Sequence, residues 1–384
     1  MTVHVLTGAT GFVGGAIALE LLDEGTNEIV GIVRETEPGQ ATTRLRTALI
    51  GMAEGYARPD LIGAINDRVR AVPGDITAPQ CGVVKADIKT ADVFWHAAAS
   101  LNYEEKHRAS IELHNVTGTR NTIDLVRKLD VSQFHHISTA YVAGRQRGPV
   151  VEGPAEHPEW ANNAYEATKI QGEKMVAAES ADRTVRIMRP GIVIGHSETR
   201  HGVNYSGMYG FAKTLLKFKH QSAKTLGTFL SHARLRLMAE PEIAANVVPI
   251  DMIDMVARNA VRIWQANSPH TYYHLVNSTP PTVGDGVKTL MLMLGFREPL
   301  WVTDDSGFTS IDRMLNAGMD FYGSYLLNGK QFSTANTEDA AGAGSCAYPI
   351  DGELLTDFFR YYLQTHPAFE TVTTGPARQV HASL

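Results

Sequence analysis

An α/β fold built on a doubly wound parallel sheet, with a smaller and mostly helical carboxy-terminal part, is predicted by three observations. The chain opens on an alternating strand, Val3 to Thr7, which runs into glycines at positions 8, 11 and 14 and then into a helical pattern. Strand-like and helix-like segments keep alternating as far as residue 195, the signature of crossover units that share one parallel sheet. The chain has 384 residues, 43% hydrophobic and 20% charged, enough for one large domain or two smaller ones sharing a surface.

Composition then narrows the class. A formal net charge of -6 gives no general attraction to nucleic acid or to an anionic membrane surface, so no nucleic-acid partner is expected. Cys81 and Cys346 stand far apart without CxxC or Cys/His spacing, which predicts neither a disulfide framework nor a metal site and fits a reducing compartment. The first residues lead straight into a strand, and no apolar stretch approaches the roughly 20 residues of a membrane span. A cytoplasmic location is expected.

In the first strand–turn–helix unit, Ala16, Ile17, Leu19, Leu21 and Leu22 fall at helical spacing after the turn Gly8-Ala9-Thr10-Gly11-Phe12-Val13-Gly14. Glycines there let the backbone turn tightly and approach a pyrophosphate at the helix amino terminus. The second strand, Glu28 to Val33, ends in Arg34, a guanidinium fork suited to a 2'-phosphate, where an acidic residue would favour the free ribose hydroxyl. NADP is therefore expected over NAD. Arg44 and Arg46 follow in a predicted helix and either assist Arg34 or face solvent. Val69 to Val72 leads into Gly74-Asp75-Ile76, and Val93 to His96 into Ala97, Ala98 and Ala99, whose small side chains leave room for a cofactor. His114-Asn115-Val116-Thr117-Gly118 opens the next helix, and Gln133 to Ser138 is the next strand, closed by Thr139.

Tyr165 and Lys169 lie four apart in a segment predicted helical from Tyr165 to Ala178, so they share one face. A nearby ammonium favours the phenolate and would bring the phenol pKa down from its ordinary ~10. That pair is either a surface contact or a proton donor for carbonyl chemistry.

Thr7-Gly8-Ala9-Thr10-Gly11-Phe12-Val13-Gly14, with Thr139, Tyr165 and Lys169 in this order, resembles the extended branch of the short-chain dehydrogenase/reductase superfamily, a Rossmann-type fold. The resemblance implies that Thr139 hydrogen-bonds the substrate oxygen, that Tyr165 donates the proton, and that Lys169 also holds the nicotinamide ribose. Thr139 matches this position better than the adjacent Ser138. It further implies that Asp75 with Ile76 meets the adenine, that Asn115 belongs to the family's Asn-Val-x-Gly-Thr pattern, and that His96 is structural. Arg189-Pro190-Gly191-Ile192-Val193 is similar to the segment that lies against the nicotinamide.

Residues 199 to 239 hold no Asp or Glu, yet Arg200, Lys213, Lys217, Lys219, Lys224, Arg234 and Arg236 all occur there. The stretch Lys213 to Arg236 is either a solvated helical face or a docking surface for coenzyme A phosphates or an acidic acyl carrier protein. Phe211, Leu215, Leu216 and Phe218 either line an acyl channel or fill core. Asn246 to Ala257 reads as a strand and a helix with Asp251 and Asp254 as caps, Thr271 to Val276 as a strand, Val283 to Leu294 as a helix. A flexible loop is expected at 340–345 and a closing helix over Leu354 to Leu363.

Arg34, the Ser138-Thr139-Ala140-Tyr141-Val142 segment, the basic stretch and Val248-Pro249-Ile250-Asp251 look most like thioester reductases and fatty acyl-CoA reductases. The resemblance implies NADPH-dependent reduction of an acyl thioester to an aldehyde, or onward to the alcohol. As residue 3 already belongs to the first strand, the thioester is expected to arrive from another protein or as a coenzyme A ester. The alternatives are an NADP-dependent dehydrogenase, reductase or epimerase of a free alcohol, ketone or nucleotide sugar, and a non-catalytic NADP sensor. The expected organisation is a dinucleotide domain at 1–198, a basic lid or insertion at 199–245, a return to the sheet at 246–278, a substrate-binding part at 279–365 and a disordered tail at 366–384.

Overall fold

Alternation along the first strand decides how the molecule is layered. Val3 and Val5 join the core on one side of the strand and Leu6 the core on the other, and all three are buried. A strand covered on both faces belongs in the middle of a parallel sheet. In this computed structural model, which describes residues 1–35, 37–205, 207–227, 229–242, 250–251, 253–319 and 322–365, that is where it lies. The strands β1 (Val3–Thr7), β2 (Glu28–Val33), β3 (Val69–Pro73), β4 (Val93–His96), β5 (Gln133–Ile137), β6 (Thr184–Pro190) and β7 (Tyr272–Leu275) form a 7-stranded sheet in the order β7-β6-β5-β4-β1-β2-β3. Every neighbouring pair is parallel. The doubly wound α/β class expected from sequence is the observed one. The order reverses between β1 and β4, and the crevice beyond the carboxyl ends of these strands is where such sheets bind ligands.

Helices Phe12–Asp23, Ala41–Gly55 and Ile253–Gln265 cover one face, and Gly118–Leu129 with Ala164–Ala177 the other. A third core joins Met208–Leu226, Val283–Met293, Ser310–Met319 and Gly352–Thr365 through Leu215, Leu290, Leu315 and Phe358. Short parallel pairs tie this part to the sheet: Gly148–Val150 with Lys330–Phe332, and Ile192–Val193 with Ile250–Asp251. Among the described residues no helix is long and apolar enough to cross a membrane.

Two expectations are corrected. Asn115 does not open its helix: helical structure begins earlier, at Arg108–Glu112, and Asn115 sits inside a π-helical turn, Leu113–Thr117, before Gly118–Leu129. The loop expected at 340–345 starts inside a helix and is anchored at its far end. Residues Ala335–Ala341 are helical, Asn259 Nδ2 donates to Ser345 O at 2.9 Å, and Ser278 N donates to Cys346 O at 2.8 Å, with Cys346 fully buried. The strand expected at Asn246 to Pro249, the side chains of Asp251 and Asp254 expected as caps, and the tail at 366–384 lie outside the described residues.

Candidate active site

The turn after β1 is the tightest backbone in the crevice. Gly8 has φ +76°, and a Cβ there would stand 2.6 Å from Ala98 N; a Cβ on Gly14 would stand 2.4 Å from Gly8 O. Only glycine fits at either place. Gly11 N donates to Gly8 O at 2.9 Å, which closes the turn and aims the amino terminus of Phe12–Asp23 into the crevice. Thr7 Oγ1 hydrogen-bonds His96 Nδ1 at 2.8 Å and accepts from Ala98 N at 3.4 Å, so the turn and the Ala97–Ala99 segment are held together. Burial pushes the His96 pKa down to about 3, and its Nε2 meets Thr119 Oγ1 at 3.2 Å. His96 is thereby a neutral strut.

One cavity of about 740 Å³ runs along this crevice. Its first end is lined by Thr7, Gly8, Thr10, Gly11, Phe12, Val13 and Gly14, with Arg34, Arg44, Asp75 and Ile76 beyond them. Arg34 is exposed, its guanidinium makes no ion pair among the described residues, and its carbonyl accepts from Arg44 Nη1 at 2.6 Å. Burial pulls the Asp75 carboxyl upward, but hydrogen bonds from Thr77 N and Oγ1, both 2.9 Å, and the charge of Arg34 hold it below the usual range. Arg46 is turned away and donates to Val69 O at 2.9 Å.

The middle of the cavity is lined by Ala97, Ala98, Ala99, Thr139, Tyr165, Lys169, Pro190, Gly191, Ile192 and Val193. Tyr165 and Lys169 ride on Ala164–Ala177, whose start is set by Asn163: its Oδ1 accepts from Glu166 N at 3.0 Å. Thr139 ends the β5 segment, accepts from Tyr141 N at 3.2 Å and faces the Tyr165 phenol. Ser138 Oγ is buried and unbonded among the described residues.

The phenol differs from the sequence expectation. Burial pushes its pKa up to about 12, against the lowering effect of Thr139. Lys169 is not among the groups that shift it: Nζ donates to Ile137 O at 2.7 Å and lies 3.4 Å from His136 Nε2. A carbonyl at the end of β5 has captured the ammonium, and burial, opposed by Glu173, brings the Lys169 pKa down to about 8. Asn115, like Arg46, does not line the cavity. Its amide grips Ser100 N and O at 2.7 and 3.1 Å and Thr168 Oγ1 at 3.1 Å, tethering the segment after Ala99 to the tyrosine helix.

The far wall is apolar and comes from the carboxy-terminal part: Phe211, Val283, Val287, Leu326 and Phe359, with Leu101 and Val203 exposed at the rim. Leu215, Leu216 and Phe218 fill core instead. Of the basic stretch, Lys213 and Lys217 are exposed, whereas Arg236 pairs with Asp312 at 3.4 Å and Arg234 leans on Glu298 O at 3.5 Å. Arg200, earlier in the segment, lies over the Phe358 ring at 5.2 Å. Sequence reading missed Tyr141, Asn163, Tyr322 and Tyr325 as cavity residues. The side-chain cap expected of an Asn before a helix was the only available signal, and only for Asn163.

The geometry suits a dinucleotide: a cradle no Cβ could enter, a helix amino terminus, and an exposed guanidinium at one end. A family model described as male sterility protein matches residues 6–256. Fatty acyl-CoA reductase 1 of Rattus norvegicus is 27% identical over 344 residues, 77% of this chain and 63% of that protein. The Homo sapiens protein of the same name is 28% identical over 49% of this chain and 42% of that protein, so the chain spans less than two thirds of these relatives. Among solved structures, the terminal R domain of the myxalamid PKS-NRPS pathway superposes with TM-score 0.72 at 22% identity, covering 95% of this chain and 91% of that one. The UDP-glucuronic acid 4-epimerase of Bacillus cereus, solved with UDP-glucuronic acid and NAD, gives 0.63 at 16% identity over 95% and 100% of the two chains.

Proposed function

The chain belongs to the family described as male sterility protein, and on that footing we propose that it is an NADPH-dependent oxidoreductase that reduces an acyl thioester to an aldehyde. One observation carries the reading: a single cavity joins the glycine cradle, the Thr139, Tyr165 and Lys169 side chains, and an apolar wall that includes Phe211, Val283, Val287, Leu326 and Phe359. Fatty acyl-CoA reductases among the relatives support it.

In this reading Gly8 to Gly14 hold the pyrophosphate, Asp75 and Ile76 the adenine, Arg34 and Arg44 the 2'-phosphate, Lys169 the ribose, and Pro190 to Val193 the nicotinamide. The bound dinucleotide supplies the hydride. Thr139 and Tyr165 donate hydrogen bonds to the thioester oxygen as charge develops on it, and Tyr165 gives up its proton. The resulting hemithioacetal returns its hydroxyl proton to the Tyr165 phenolate and expels the thiol, which leaves the aldehyde; onward reduction to the alcohol would need exchange of the oxidised dinucleotide for a second NADPH, with the same two hydroxyls serving again. Residues 1–198 and 246–278 form the cofactor part, and 199–245 with 279–365 the substrate part. Exposed Lys213 and Lys217 are the contacts for an acidic acyl carrier protein.

The test is NADPH oxidation with acyl-coenzyme A esters, carrier-bound thioesters and aldehydes, with products identified by mass. Free thiol released in step with NADPH consumption is the expected result. Turnover of aldehydes or ketones alone would replace the thioester reading by that of a carbonyl reductase.

A further inference from the structure

The residue after the catalytic tyrosine is a carboxylate with no exposure at all. Glu166 is 0% exposed, yet it sits in the first turn of the helix that carries Tyr165. A buried carboxylate survives only where donors surround it. Here Glu166 Oε2 accepts from Asn162 N at 2.6 Å and from Asn162 Nδ2 at 3.0 Å, and Oε1 accepts from the Tyr325 hydroxyl at 2.6 Å. Tyr325 belongs to the short helix Gly323–Leu326 of the carboxy-terminal part and lines the cavity. Its hydroxyl also accepts from Asn163 Nδ2 at 3.1 Å, and Asn163 Oδ1 accepts from Glu166 N. A closed ring of hydrogen bonds thus runs Asn163, Tyr325, Glu166 and back to Asn163, around the position of Tyr165. Lys330, 1% exposed on Lys330–Phe332, bears on the same carboxylate by its charge.

We infer that Tyr325 is a positioning residue for the reduction: from the carboxy-terminal part it clamps Asn163 and Glu166, and so fixes the helix turn that aims the Tyr165 hydroxyl into the cavity. The inference rests on the proposed role of Tyr165 as proton donor, not on which carbonyl compound is reduced. The ring of Tyr325 is held separately, edge-on to Tyr141 with centroids 5.1 Å apart, so Tyr325→Phe deletes the clamp and keeps the wall.

The experiment compares wild type with Tyr325→Phe, Glu166→Ala and the double variant, on whichever thioester or aldehyde the wild type reduces. Tyr325→Phe is expected to lower kcat about tenfold, with KM for NADPH and for substrate within about twofold, and to raise the solvent deuterium isotope effect on kcat. The double variant is expected to be no slower than Glu166→Ala. Amide hydrogen exchange, which needs no substrate, is expected to speed up about tenfold at Glu166 and Ala167 in Tyr325→Phe. A folded Tyr325→Phe with wild-type kcat, additive losses in the double variant, or unchanged exchange at those amides overturns the inference. Wild-type turnover of aldehydes without thioesters overturns only the thioester reading.

Discussion

At the scale of single residues, the site is a contest between burial and partners. Tyr165 is a poor acid as it stands, because burial raises its pKa to about 12 while the nearest ammonium is spent on Ile137 O. Lys169 Nζ has two further N–H groups beyond the one given to Ile137 O, and its value to the reaction lies in its charge. Its pKa is lowered to about 8, so the charge is fully present below that value and lost as pH rises through it. For reduction, kcat/KM, which reports the free enzyme, is therefore expected to fall above about pH 8. A profile that stays flat up to the ordinary lysine range would show that Lys169 keeps its proton. Removing the phenol with Tyr165→Phe should cost roughly 10²–10⁴ in kcat and leave NADPH binding, followed by fluorescence, intact. Arg34 is exposed and makes no ion pair among the described residues, so its value lies in what binds it. Arg34→Ala should weaken NADPH roughly tenfold, the scale of one charge-assisted contact, and leave NADH where it was. Equal losses for both dinucleotides would remove the 2'-phosphate assignment.

At the scale of elements, the two ends of the site differ in how openly the sequence announced them. The glycine turn was legible because its constraint is local: a left-handed φ at Gly8 and a Cβ-free approach at Gly14 need glycine at those positions and no other information. The sheet was legible for a similar reason, since strands buried on both faces read as short apolar runs between helices. The far wall was not. Tyr322, Tyr325 and Phe359 reach the cavity only through the packing of helices distant in sequence, and an aromatic on such a helix looks the same whether it fills core or lines a channel. The basic stretch was half legible: its charges could be counted, but not that Asp312 and Phe358 would claim Arg236 and Arg200. Among the lysines of Met208–Leu226 whose side chains are described, Lys213 and Lys217 are exposed. Reversing both with Lys213→Glu and Lys217→Glu should raise KM for a carrier-bound thioester at least fivefold, while an aldehyde reports no change. A shift that appears equally with the aldehyde would assign these lysines to the cavity rather than to a carrier.

At the scale of the whole molecule, the sheet and the carboxy-terminal part share more than a cavity. Glu152, in the loop after Gly148–Val150, accepts from His274 N at 2.8 Å at the sheet edge and from Asn336 N and Thr337 Oγ1 at 2.6 and 2.8 Å in the carboxy-terminal part. Asn336 Nδ2 donates to Tyr272 O at 3.0 Å, so β7 is stitched to the segment that begins at Lys330–Phe332. Such an edge is closed by another part of the chain instead of being left open for pairing. Phe358, fully buried in the third core, tests whether this stitching makes one cooperative unit. Phe358→Ala should remove about 3–5 kcal/mol by the usual cost of an emptied aromatic site. If the parts melt together, the variant unfolds in a single lowered transition, and NADPH at about a hundred times its Kd raises that transition by the ~2.7 kcal/mol that linkage gives the wild type. If calorimetry instead resolves two transitions, with NADPH moving only the upper one, the contacts through Glu152 and Tyr325 are too weak to couple the parts, and the clamp on the tyrosine helix loses its physical basis.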